Sequence, residues 1–288
     1  MFLGIFQPYA DASDGRRLCW KICMVNACVW VLWQIPALQR FMMSSFTHHP
    51  LSGKCVTMLT CVFSHKSFWH LLLNCMALDG FGSTASYFLS KSYEEEAQKS
   101  HLRPRYPEAA IDYHFLAFFI SAGLFSSLVG HIVDVKLMYP RAIARAMSEA
   151  VKQASANRVL PETWSAAVRA HPSPAPSVKP KTITPTILPG LGASGAIYSC
   201  MVVCALAFPD ATVAFFIPPG LTLNIRTGVS LVVLLDVIGV IRGWRFFAHW
   251  VHLGGALFGY LTYHYDPKIW RDVYTYVFTL EERSRTRR

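Results

Sequence analysis

Six stretches of the chain are dominated by apolar residues over lengths that reach or approach the roughly 20 residues a helix needs to cross a bilayer. They run from about Cys19 to Leu38, Phe68 to Leu89, Tyr113 to Val135, Ser194 to Phe208, Thr227 to Ile241 and Phe246 to Tyr265. Three of them carry polar or ionisable groups: His70, Asn74 and Asp79 in the second, Asp236 in the fifth, His249 and His252 in the sixth. Such groups are costly inside a span and usually face a bundle interior or a wet cavity. The pattern predicts an all-α polytopic membrane protein, a bundle of six transmembrane helices around an internal aqueous site.

The connections are of mixed character. Arg40 to Lys66 is a sizeable loop with its own apolar patch at Phe41, Met42, Met43 and Phe46. Glu94-Glu95-Glu96 opens a charged connector, and Pro140 to Asn157 reads as an Ala-rich basic helix lying on a surface. His171 to Pro185 is proline-rich and expected to be disordered. Ala211 to Leu223 is apolar but broken by Pro218-Pro219-Gly220, which suits a loop pressed on the bilayer or partly re-entrant. The expected organisation is an N-terminal tail (1–18), a membrane domain (19–266) with a polar insert (about 136–187), and a basic C-terminal tail (267–288). No internal repeat is visible.

Composition supports the membrane reading. Of the 288 residues, 53% are hydrophobic and only 15% charged, against about a quarter charged in an average soluble domain. The net charge of +10 lies mainly in loops and at the C-terminus, where it reports orientation and lipid headgroups rather than nucleic acid. The basic residues fall on both faces of the bundle and tilt only weakly toward both termini sharing the more basic side. The eight cysteines show no C-x-x-C pair or zinc-knuckle spacing and read as small apolar fillers, with a Cys55–Cys61 disulfide as the alternative. Residues 1–17 read neither as a secretory signal nor as an Arg-rich presequence, since Asp11 and Asp14 interrupt them. Either targeting is internal or an upstream piece is missing.

Candidate chemistry gathers in three places. In Pro189-Gly190-Leu191-Gly192-Ala193-Ser194-Gly195-Ala196, the proline suits a first helical turn. Ser194 is then expected one turn inside the helix, with free N–H groups and the positive end of the helix dipole nearby. That is a setting for a nucleophile, although small residues in apolar helices are mostly packing faces. In the last span, His249 and His252 share a face, and His252, Gly255 and Gly259 follow one another at i, i+3, i+7. A glycine face would let that helix approach the Ser194 helix until His252 reaches the hydroxyl as its base. In the second span, His70 and Asn74 lie at i, i+4 and could converge on an oxyanion, with His65 a turn earlier or just outside the helix.

The run G-A-S-G-A at Gly192–Ala196, A-H-x-x-H-L-G-G-x-x-x-G from Ala248, and H-x-x-x-x-H-x-x-x-N from His65 together resemble the signatures of the rhomboid intramembrane serine proteases. They occur in that family's order and on its matching second, fourth and sixth core spans. Leu32 to Arg40 and Gly243 to Phe247 look most like the mitochondrial presenilin-associated rhomboid-like branch. The resemblance implies Ser194 as nucleophile and His252 as general base, a dyad without an acid. It implies an oxyanion hole of Asn74, His70 and the Ser194 N–H. His65, His249, Gly192, Gly195, Gly255 and Gly259 would support the site. It further implies no cofactor and no metal, single-span membrane proteins as substrates, a lipid bilayer as partner with no nucleic acid, and a multi-pass location in the mitochondrial inner membrane, with a secretory-pathway membrane as the alternative.

Four rival readings are weaker. A zinc site at the four histidines lacks H-E-x-x-H and an adjacent carboxylate. An aspartyl intramembrane protease would need two facing aspartates, and Asp236 and Asp79 lack the usual glycine pattern around them; each then reads as a bundle-facing structural aspartate. A transporter would draw on the internal polar groups but would call for a repeat. A catalytically silent relative that binds or sorts membrane clients is opposed by the intact Ser194 and His252.

Overall fold

The computed structural model describes residues 3–99, 107–156, 189–214, 220, 222–244 and 247–286. It divides into two compact units, residues 1–130 with 189–288, and residues 131–188. The first unit holds the chemistry.

Among the described residues, most of each apolar stretch is helical. The first helices are α1 (Leu3–Asp11) and α2 (Asp14–Trp33). Ser13 caps α2 by accepting the Arg16 N–H, with Asp14 in the first turn where the dipole favours an anion. A single turn at Pro36–Leu38 leads to α3 (Gln39–Ser45), bent 96° from α2. After the short α4 (Thr57–Thr60) come α5 (Phe68–Ala77) and α6 (Ser83–Lys99), joined by a π-helical turn at Leu78–Gly82. The remaining helices are α7 (Pro107–Val133), α8 (Tyr139–Ala156), α9 (Ser194–Ala207), α10 (Ile225–Arg242) and α11 (His249–Thr286).

Helix α9 is the centre of the bundle. It is apolar on every side, as a fully buried helix must be, and Ala196, Cys200, Val203 and Cys204 are sealed from solvent. Around it pack Cys19 of α2, Leu78 of the π-helical turn, Ala85 and Leu89 of α6, Phe115 and Phe119 of α7, and Val229 of α10. Against α11 its backbone comes within reach because the facing residues have no side chains. A Cβ on Gly255 would run into the Gly195 carbonyl, and one on Gly259 into the Ser199 backbone. Ser199 Oγ fastens the two helices by donating to the Gly255 carbonyl at 2.7 Å.

Several expectations are corrected. Helix α9 begins at Ser194 itself, so Pro189 opens an extended strand-like approach rather than a helical turn. Gly190 exchanges two backbone hydrogen bonds with His48 (2.9 and 3.0 Å), and Gly192, at φ +125, takes a conformation that glycine alone adopts readily. The fold is mostly helical rather than all-α. Thr212–Ala214 (β1) and Thr222–Asn224 (β2) pair antiparallel, in the segment expected to be a plain or re-entrant loop. Its Pro218-Pro219 lies outside the described residues. Asp79 does not face a central cavity; Arg16 binds it through two nitrogens (2.8 and 2.7 Å) and Trp20 Nε1 donates to it at 2.7 Å. Helix α11 continues to Thr286, through the segment expected to be a tail. The eight cysteines are free thiols, so Cys55 and Cys61 are not bridged.

Among the described residues, one helical run, Tyr113–Gln153, is long and apolar enough to cross a membrane, or two if the bent α2–α3 pair is one span. In the second unit, α8 carries Arg141, Arg145 and Lys152 together with exposed Met147 and Val151. The proline-rich stretch at 171–185 lies outside the described residues.

Candidate functional site

The loop of residues 46–66 builds the floor on which the serine rests. Trp33 donates to Ser64 Oγ (2.9 Å), and His48 Nδ1 meets Thr57 Oγ1 (2.8 Å), so the loop is pinned to α2 and to itself. From this base the Cys61 carbonyl accepts the Gly192 N–H at 2.8 Å. His65, fully buried, accepts the Ala193 N–H on Nε2 at 3.2 Å. Burial and the neighbouring His70 push the His65 pKa down to about 3, so the ring is neutral and free to accept. Two successive amides before the serine are thereby held fixed.

Ser194 then starts α9 with no side chain capping the helix. The first N–H groups of any helix lack intrahelical partners, and here they open beside the serine. His252, a turn into α11, brings Nε2 to 2.9 Å from Ser194 Oγ. Its ring stacks on Tyr198 at a centroid separation of 4.3 Å and 12° between planes. Tyr198 sits one turn beyond Ser194 on the same face of α9. Sequence reasoning did not single it out; its position four residues after the serine was the available signal.

Asp236 of α10 also enters the site. Its Oδ1 lies 3.2 Å from His252 Nδ1 and 2.5 Å from His249 Nδ1. Asp236, His249 and His252 are all buried. The serine, the histidine and a carboxylate therefore stand in line, where the resemblance implied two residues and no acid. His249 touches Asp236 rather than the serine, and its ring occupies the space that a Cβ on Gly239 would fill.

The residues expected to hold an oxyanion lie on the opposite wall. The His70 ring packs on Gly192, where a Cβ would come 2.7 Å from its Cε1, and meets His65 edge-on at 4.9 Å. It also faces His252 closely enough for the two rings to interact electrostatically. Asn74 spends one amide hydrogen on the His70 carbonyl at 2.8 Å, within its own helix. His65 and His70 thus lie against Ala193 and Gly192, the two residues before the serine, and Gly255 and Gly259 bring α11 up to α9. The four histidines do not form a cluster that could hold a metal among the described residues.

A hydroxyl in contact with an imidazole can lose its proton as it attacks a carbonyl, and unpaired N–H groups beside it can take up the charge that develops. Residues 111–267 match the family model described as the rhomboid domain. The chain belongs to the rhomboid family. Typical members of the rhomboid family are intramembrane serine proteases, and the chain is an integral membrane protein. It is similar to the mitochondrial presenilin-associated rhomboid-like protein of Mus musculus, 28% identical over 275 residues, 91% of this chain and 55% of that protein. The Homo sapiens protein of the same name is 27% identical over 277 residues, covering 92% and 55%. The mitochondrial rhomboid protein 1 of Saccharomyces cerevisiae is 22% identical over 260 residues, covering 89% and 55%. The chain spans about half the length of these curated relatives, all mitochondrial rhomboids by name. No solved structure gives a significant match.

Proposed function

We propose that the chain is an intramembrane serine endopeptidase that cuts transmembrane segments of single-span membrane proteins. The observation that carries this is the 2.9 Å contact between Ser194 Oγ and His252 Nε2 at the uncapped start of a buried helix. Six membrane spans, one on each apolar stretch, surround the site, with both chain ends on one side of the mitochondrial inner membrane. The shorter helices complete their spans with the polar turns that flank them.

In the reaction, Ser194 Oγ attacks the scissile carbonyl as His252 Nε2 takes its proton. The oxyanion sits between the Ser194 N–H, the second amide hydrogen of Asn74 and the His70 ring. His252 then returns the proton to the leaving amine. Water enters from the polar cleft between α5, α9 and α11, gives up its proton to the same imidazole, and releases the acyl group from Ser194. A helical substrate exposes no carbonyl to attack, so the segment must unwind locally. Substrates with glycine or proline near the cut are favoured. No cofactor enters any step.

The test is reconstitution in liposomes with a single-span substrate bearing a helix-breaking pair at mid-membrane depth. Wild type is expected to yield two fragments, and Ser194→Ala and His252→Ala none. Binding of the substrate by folded wild type with no cleavage would instead favour a silent, client-binding rhomboid.

A further inference from the structure

We propose that Asp236 is a positioning residue for His252, making the working unit a serine–histidine–aspartate line that His249 braces; this rests on the protease reading of Ser194 and His252. An ionised carboxylate accepts hydrogen bonds and cannot donate them. Asp236 Oδ1 stands within reach of Nδ1 of both His252 (3.2 Å) and His249 (2.5 Å), so both rings carry their proton on Nδ1. That choice leaves Nε2 of His252 with its lone pair directed at Ser194 Oγ, 2.9 Å away. Without the carboxylate nothing on the Nδ1 side prefers that tautomer, and the other one would point a hydrogen at the serine and disable it as base.

The surroundings suit this role. Asp236 is 3% exposed, and its second oxygen is buried with no hydrogen-bond partner among the described residues. The charge is therefore not spent on solvent or on a cation. Five groups with polar or ionisable side chains surround His252: Asp236 from α10, His249 from its own helix, Tyr198 and Ser194 from α9, and His70 from α5. Asp236 alone among them can be an anion near neutral pH. It is the group that can stabilise the imidazolium formed once Ser194 has given up its proton. His249 enters as a brace: its Nδ1 holds Oδ1 at 2.5 Å, and its ring fits against Gly239, three residues beyond Asp236 on α10.

The experiment is ¹⁵N NMR of the histidine-labelled full chain in detergent micelles, with the His252 signals assigned by their loss in His252→Gln, beside steady-state cleavage. Wild-type His252 is expected as the Nδ1-protonated tautomer. In Asp236→Asn a substantial Nε2-protonated fraction should appear and kcat should fall about a hundredfold or more, with KM little changed and partial recovery in Asp236→Glu. A wild-type His252 protonated mainly on Nε2 would overturn the proposal, as would Asp236→Asn with wild-type tautomer and kcat. The wild-type spectrum decides even if Asp236→Asn does not fold. Folded wild type with no cleavage of substrate would sink the protease reading instead, while the tautomer still reports on Asp236.

Discussion

His65 never touches the serine, yet its Nε2 holds the amide immediately before it. The ring must be neutral to do so, and in the fold it takes up a proton only near pH 3, whereas an unfolded histidine does so near 6.5. Between those values the unfolded chain binds the extra proton, so this contribution to stability is present above about pH 6.5 and is lost as pH falls toward 3. The expected slope is at most about 1.4 kcal/mol per pH unit. Melting temperatures of the detergent-solubilised protein should drop from pH 7 to pH 4, and drop less steeply in His65→Gln; parallel curves would show that His65 is not the cause. Asn74 tests the other wall. Loss of one oxyanion donor typically lowers kcat by roughly 10²–10³. Asn74→Ala should therefore keep its KM and its melting temperature but lose kcat on that scale, and an unchanged kcat would remove Asn74 from the site.

At the scale of elements, the meeting of α9 and α11 is the part of the site that sequence made plainest. His252, Gly255 and Gly259 share a helical face by spacing alone, and Gly255 and Gly259 do meet the backbone of α9. Gly259→Ala should cost roughly 1–3 kcal/mol from overpacking, read as a lower melting temperature, and Gly259→Val should cost more. A wild-type melting temperature for Gly259→Val would mean that the helices stand further apart. Other features depended on contacts between distant segments and left little trace locally. Pro189 looked like a helix start, but the His48 backbone captures Gly190 in a strand-like bridge, and the helix waits until Ser194. Asp236 was visible as a carboxylate in an apolar helix, yet no periodicity links α10 to α11, so its place beside two histidines had to come from packing. The β1–β2 pair escaped because Thr212-Val213-Ala214 and Thr222-Leu223-Asn224 are three-residue strands, too short to show alternation.

For the whole molecule, rhomboid membership and the deficit of charged residues put the chain in the membrane. It should stay in the pellet after alkaline carbonate extraction of mitochondria, and release into the supernatant would contradict integral membership. An even number of spans puts both ends of this chain on one side. Tags added at residue 1 and residue 288 should then be digested together or protected together when protease is applied to mitoplasts, and opposite protection would mean an odd number of spans. Every step of the proposed reaction starts from an activated Ser194. The most direct measurement is labelling of the purified protein with a fluorophosphonate probe, followed by peptide mass spectrometry to locate the adduct, beside Ser194→Ala and His252→Ala. The expected result is an adduct on Ser194 in wild type and none in either variant; no adduct on folded wild type, or an equal one in His252→Ala, would contradict it.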